Sequence, residues 1–366
     1  MSRVRAAVMI APSAPIELRE FPSPPLEPGA VLLATVASEV CGTDVHLHRG
    51  HLAGVPYPII PGHVSVGRVR ESSGVERDAL GRPLTVGDLV TFYDVHEVCG
   101  VCWHCTIGEQ PNRCPKRRVY GITYSADEGL LGGWAERIYL KPGVKIVKIP
   151  ESLTADDVIG GGCGLFTGFA AVDRARPAMG DTVVVQGAGP VGLAAAAFAR
   201  LRGAARVVVI GAPAARLALA QAMGAAVVLD VEATRPDDRL AMVRELTQDR
   251  GADVVIEACG NPQAVPEGIA LVRDGGTYAI AGHYTDAGPI AVNPHEINRK
   301  HLEIRGQWGT LFRHVVGALD ELHRHRDELR FAEVIGGRYP LAGAGDALAD
   351  VAALRVTKAV IEPGAS

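Results

Sequence analysis

Five continuous apolar runs, DTVVVQG, ARVVVIG, AAVVLD, ADVVIEAC and GTYAIAG, recur between residues 181 and 282, with helix-like stretches such as RLALAQAMG and RLAMVRELTQD between them. No other feature restricts the fold as tightly. A half-exposed strand alternates apolar and polar residues, whereas a strand that is apolar throughout is covered on both faces, as in a parallel sheet wrapped by crossover helices. Residues 161–306 therefore predict a doubly wound α/β domain. The chain before it is rich in Pro and Gly and carries short β-type runs, VLLATVAS, SVGRVRE and DLVTFYDV, expected of an irregular, largely antiparallel domain. After residue 306 come a helical stretch, RHVVGALDELHRHRDEL, and a last strand-like run, KAVIEP. The simplest organisation has residues 1–160 and 307–366 forming one β-rich domain into which the α/β domain is inserted. A chain of 366 residues, 48% of them hydrophobic, can bury two such cores.

Charge excludes several partners. Lys+Arg (37) and Asp+Glu (41) nearly balance and are interspersed, so no footprint for nucleic acid or an anionic membrane surface is present. The apolar run GLAAAAFA is far below the ~18 residues of a membrane span. These readings predict a cytoplasmic protein without a targeting segment that acts on a small molecule. Its seven cysteines are an odd number, which in a reducing compartment argues for metal binding or chemistry over a disulfide framework.

Gly187-Ala188-Gly189-Pro190-Val191-Gly192 fits GxGxxG directly after the first apolar run and opens an alanine-rich helix. In that context the glycines permit a tight turn and close approach of a pyrophosphate to a helix N-terminus, against the alternative of a structural turn. A carboxylate for the adenosine ribose hydroxyls is expected about 20 residues on. Gly211 stands there instead, with Arg216 five residues downstream. Without a carboxylate to repel a 2′-phosphate the balance tilts from NAD to NADP, although Arg216 reads equally as a solvated helix residue.

Gly62-His63, the run VHEVCGVCWHCTIGEQPNRCP, Gly162-Cys163 and GAGPVG follow one another in the order and spacing of the zinc-dependent medium-chain alcohol dehydrogenases, which the chain resembles over nearly its whole length. In texture it is most similar to the bacterial subgroup that includes 5-exo-hydroxycamphor dehydrogenase. The resemblance implies a GroES-like β-rich catalytic domain joined to a Rossmann cofactor domain. Cys99, Cys102, Cys105 and Cys114 put four thiolates on one loop, enough for a closed tetrahedral zinc site that shapes a lobe and does no catalysis. The alternatives are a vestigial site with free thiols and a zinc ribbon for nucleic acid, the latter without the basic-aromatic interleaving it needs. Eight residues precede the last cysteine where the family has seven, so this loop is expected to bulge by one residue. Lys116-Arg117-Arg118 reads as a solvated turn.

A second, catalytic zinc on Cys41, His63 and Cys163 is implied by the resemblance alone, because the three are far apart in sequence. Two thiolates and an imidazole leave a fourth position for substrate. The resemblance also assigns the hydroxyl at Thr43 to the reacting oxygen, His46 to the proton relay, and Asp44 to orienting the His63 imidazole. His48 and His51 read as surface loop histidines or as residues at the pocket mouth, and Cys259 as a small residue packed near the nicotinamide. The pocket wall is expected around Phe92 to His96, His51 and Trp308. The family's Gly-His-Glu is here Gly62-His63-Val64, which removes a carboxylate from beside the zinc.

The function expected is zinc-dependent, NAD(P)-linked interconversion of an alcohol and a carbonyl compound, with a bulky apolar substrate, two zinc ions per chain and a homodimer or homotetramer built through the edge near GTYAIAG and NRKHLEIRG. Conjugate reduction of an enone on the same fold is the alternative that the Val64 departure suggests. A non-catalytic cofactor-binding protein is a remoter one.

Overall fold

The computed structural model describes residues 3–364. These form two compact units, one of the residues up to Gly162 with Leu311–Arg324 and Phe331 onward, the other of Cys163–Thr310 with His325–Arg330. The sequence boundaries at 160/161 and 306/307 thus move by a few residues, and the short segment His325–Arg330 crosses to the other unit. Glu328 supplies one reason, since its carboxylate pairs with Arg200.

In the second unit all five apolar runs are strands, Thr182–Gln186, Arg206–Gly211, Val227–Asp230, Ala252–Glu257 and Val272–Ile280, and Glu303–Gly306 adds a sixth. Every pairing is parallel, and in the order of the sheet Thr182–Gln186 lies between Arg206–Gly211 and Ala252–Glu257. That arrangement makes its C-terminal end the point where the strand order reverses, the place at which doubly wound sheets bind ligands. Helices Pro190–Leu201, Ala214–Ala222 and Ala264–Leu271 pack on the sheet. Val184, Val208, Val255, Ile269, Leu271 and Tyr278 form the buried core, each apolar side chain contributing about 1.5–3 kcal/mol by leaving water.

The first unit is built on a mostly antiparallel seven-stranded sheet. Its central strand, Val31–Val40, pairs with Ser65–Ser72, with Arg137–Leu140 and with the last strand, Lys358–Ile361. The expected runs VLLATVAS, SVGRVRE and DLVTFYDV fall on Val31–Val40, Ser65–Ser72 and Leu89–Phe92. Helix Phe312–Arg324 answers the predicted C-terminal helical stretch. Among the described residues no helix is long and apolar enough to cross a membrane.

Candidate active site

Cys41 directly follows the central strand and caps helix Gly42–His48. Its sulfur accepts from the Thr43 N–H at 3.3 Å, while the Asp44 carboxylate accepts from the Cys41 N–H at 2.9 Å. A thiol placed at a helix N-terminus favours the thiolate that a metal requires. His63 precedes the neighbouring strand, and the glycines around it are there for close packing. A Cβ on Gly62 would meet Ser38 Oγ at 2.4 Å and Trp134 Cδ1 at 2.6 Å, and one on Gly121 would meet the His63 nitrogen at 2.7 Å.

Cys163 comes from helix Ala155–Ala175, which kinks at Gly162 (φ 53°, ψ −137°). Its place follows from its peptide bond to Gly162, whose own surroundings are all in the first unit: a Cβ there would lie 2.0 Å from Glu39 Oε2 and 2.9 Å from Lys358 Nζ. Ligand atoms of Cys41, His63 and Cys163 come together with that of Glu39, all within 4.8 Å of one another. Two sulfurs, an imidazole and a carboxylate oxygen at that spacing fit a zinc ion.

Glu39 is the residue that sequence reasoning missed. Its signal was available, since a glutamate inside VLLATVASEV contradicts an otherwise apolar strand, and residues two apart on a strand point the same way, which aims it with Cys41. It is fully buried, with one oxygen 3.6 Å from His63 Nε2 and the other paired with the equally buried Lys358. Two further carboxylates lie in the field of His63. Burial raises the carboxyl pKa of Asp44 and of Asp94, and the His63 charge opposes the rise in both.

Thr43 and His46, expected to form the relay, sit on the same short helix as Asp44. Thr43 is half-buried, and His46 Nδ1 lies 3.3 Å from Nδ1 of His51, which is exposed. Burial, then the His51 and Arg49 charges, push the His46 pKa below its ordinary value. His51 is thus on the surface and also in hydrogen-bond contact with His46. His48 is tied to the Ala14 carbonyl at 3.0 Å instead. Phe92 is buried edge-on against Tyr120, and His96 bonds to the Tyr124 hydroxyl and the Pro142 carbonyl, both at 3.0 Å. Trp308 stacks on Tyr284 and donates to its carbonyl at 3.0 Å.

The four sulfurs of Cys99, Cys102, Cys105 and Cys114 also lie within 4.8 Å of one another. Cys99 N–H donates to Cys114 Sγ and Cys102 N–H to Cys99 Sγ, each at 3.3 Å. Backbone N–H groups of Val101 and Cys102 pull the Cys99 thiol down to about 6. The eight-residue loop closes through Glu109 in the left-handed region, φ 50°. Arg118 is not a free surface charge, for it pairs with Glu128 and lies over the Tyr124 ring.

In the cofactor loop each glycine has its own reason. A Cβ on Gly187 would meet the Ala258 backbone at 2.9 Å, one on Gly192 the Gly187 carbonyl oxygen at 1.9 Å, and one on Gly189 nothing within 4 Å. Gly189 caps helix Pro190–Leu201, with Ala188 buried before it and Pro190 and Val191 starting the helix. The first and third glycines are forced by packing and the second leaves open space before the helix N-terminus, a cradle that fits a pyrophosphate. Gly211 is forced too, since a Cβ would come within 2.6 Å of Ala188 Cβ, so no carboxylate can stand there without moving the loop. Arg216 is 9% exposed, which corrects its reading as a solvated residue, and burial lowers its pKa. Cys259 is corrected as well. It is exposed, because the turn after Ala252–Glu257 folds the fully buried Glu257 inward to accept from the N–H groups of Cys259 at 2.7 Å, Gly260 at 2.6 Å and Gly282 at 3.0 Å.

Comparison with known proteins agrees with this anatomy. Residues 27–151 match the alcohol dehydrogenase GroES-like domain, and residues 190–324 match the zinc-binding dehydrogenase domain. The chain is 33% identical to 5-exo-hydroxycamphor dehydrogenase of Pseudomonas putida over 99% of both proteins. An alcohol dehydrogenase of Thermotoga maritima has the same fold with a TM-score of 0.94 and 33% identity, covering 99% of this chain and 100% of that one. A zinc-binding dehydrogenase of Sinorhizobium meliloti, solved bound to NADP, superposes with a TM-score of 0.86 at 27% identity, with 99% and 100% covered. The chain is an oxidoreductase acting on CH–OH groups, and it belongs to the zinc-dependent medium-chain alcohol dehydrogenase family.

Proposed function

We propose that this chain interconverts a bulky, apolar alcohol and its carbonyl compound with NADP, using a zinc ion on Cys41, His63 and Cys163 and a second, structural zinc on Cys99, Cys102, Cys105 and Cys114. The observation that carries the reading is the convergence of the three donors beside the helix that bears Thr43 and His46. When bound, zinc lowers the alcohol pKa and the nicotinamide exchanges hydride with the carbinol carbon. The chain's own residues handle the proton. The Thr43 hydroxyl accepts the substrate proton as it gives up its own, His46 is the base that receives the proton released, and His51, in contact with His46 and exposed, passes it to water. Asp44 caps the Cys41 turn and places a carboxyl group in the field of the His63 imidazole.

NADP is favoured by the glycine forced at position 211, by Arg216 on the next helix, and by the NADP-bound neighbour. The hydroxycamphor relative supports a bulky alicyclic substrate. Strand Glu303–Gly306 ends the parallel sheet, and its pairing with a second copy would give a dimer, a tetramer following by a further contact. We place the enzyme in the cytoplasm. The test is metal content per chain with and without mild chelation, scored with NADPH and NADH oxidation on an aldehyde, ketone and enone panel. Two zinc ions per chain, with carbonyl reduction lost alongside the more labile one, are expected. Enone reduction that survives chelation would refute the reading in favour of a conjugate reductase.

A further inference from the structure

The family motif places a carboxylate directly after the ligand histidine, and here Val64 stands in that position. The structure puts another carboxylate across the strand pair from it. Ser38 pairs with Ser65, and the next step of the ladder is a 3.2 Å bond from the Glu39 N–H to the Val64 carbonyl, so Glu39 lies opposite Val64. Residues opposite each other in an antiparallel pair project from the same face. The Glu39 oxygen that faces His63 is 3.6 Å from Nε2, close to the edge of about 3.3–3.6 Å that a tetrahedron with Zn–N and Zn–O bonds of ~2.0–2.2 Å would have.

Three other features fix Glu39 in place. Lys358, from the strand paired with Val31–Val40, binds its second oxygen. Gly162 leaves the room that the pair occupies, and Trp134 Nε1 donates to the Glu39 carbonyl at 2.9 Å. Charge balance follows the same lines. A divalent ion with two thiolates is neutral, and the Glu39 carboxylate with the Lys358 ammonium is neutral, so these five groups together carry no net charge. Either member of the pair alone would leave an uncompensated charge, which buried sites tolerate poorly.

We propose that Glu39 is the fourth donor to the ion held by Cys41, His63 and Cys163, and that Lys358 is the counterion which keeps the carboxylate when a substrate oxygen displaces it. The inference rests on the zinc-dependent reading above. It moves the ligand-exchange role from position 64 to the facing strand, and it makes Lys358 part of the same device.

The experiment measures zinc affinity by chelator competition, and the visible absorption of the cobalt(II)-substituted full-length protein. Glu39→Gln combined with Lys358→Met removes both charges together, and Glu39→Gln combined with Val64→Glu returns a carboxylate from the facing strand. The first pair of substitutions is expected to weaken the labile site about tenfold or more and to shift the cobalt bands. The second is expected to recover affinity and bands towards wild type. Unchanged affinity and spectrum in the folded first variant would overturn the proposal while leaving the zinc enzyme intact. Should that variant not fold, Glu39→Asp, which keeps the ion pair and shortens its reach, reads the same two quantities with the same expectation. A wild-type protein that holds metal only on its four-cysteine lobe would instead sink the zinc-dependent reading itself.

Discussion

Replacing Gly162 by alanine tests the joint between the fold and the site. The added Cβ would lie 2.0 Å from Glu39 Oε2, 2.8 Å from its Cδ and 2.9 Å from Lys358 Nζ, at a residue with φ 53° and ψ −137°. Holding a non-glycine residue in that backbone region costs about 1–3 kcal/mol. The clash is with charged groups that have nowhere else to go, and parting a buried ion pair costs about 3–5 kcal/mol when one charge is left uncompensated. Partial relaxation lowers the second figure, so a total loss above the ~1–3 kcal/mol of backbone strain alone is expected. The kink also aims Cys163, so the labile zinc should be lost more readily. Urea unfolding followed by tryptophan fluorescence, with zinc counted per chain, measures both effects. Gly189→Ala is the matched control, because its Cβ meets nothing within 4 Å and its φ of −77° suits any residue. It should change stability by less than about 1 kcal/mol yet weaken cofactor binding. A Gly162→Ala protein that loses less than about 1 kcal/mol and keeps its zinc would refute the reasoning.

Further predictions concern the other parts of the site. His46 has its pKa lowered first by burial and then by the His51 and Arg49 charges, so the neutral form that accepts the alcohol proton should persist below pH 6.5, with oxidation lost only as pH falls through the depressed value. The same shift makes the unfolded chain bind more protons, so its contribution to stability is present above pH 6.5 and is lost on descending from there. His51→Gln removes one cause and should move the acid limb of the rate profile upwards; a limb that stays put would separate His51 from the relay. Cys114→Ser, at a fully buried sulfur, should cost one zinc per chain and loosen the lobe, read by metal analysis and limited proteolysis. Arg216→Ala should raise the Kd for NADPH more than that for NADH, and an equal loss for both would argue that Arg216 serves packing alone.

How legible each feature was depended on whether its cause is local. The parallel sheet could be read directly because strands covered on both faces must be apolar at every position, as Thr182–Gln186 is. The four-cysteine lobe could be read for the same reason, its ligands lying within one loop. Cys41, His63 and Cys163 were legible only through family resemblance. They reach one another through a strand end, the entry to a neighbouring strand and a helix kink, none of which spacing reveals.

Other features waited on packing. Position 211 is glycine because Ala188 fills the space above it, a fact about two loops brought together by the parallel pairing of their strands. Arg216 is a helix residue in either reading, and only the surrounding fold decided that it is buried. Val64 looked like a lost carboxylate until the strand register set Glu39 opposite it and brought Lys358 in from the far end of the chain. Periodicity and loop motifs are written along the chain, so the sequence alone determined the two domain types, the cofactor loop and the cysteine lobe. Register and the burial of charge depend on which distant segments meet, so only the tertiary structure decided which carboxylate faces His63 and which cation balances it.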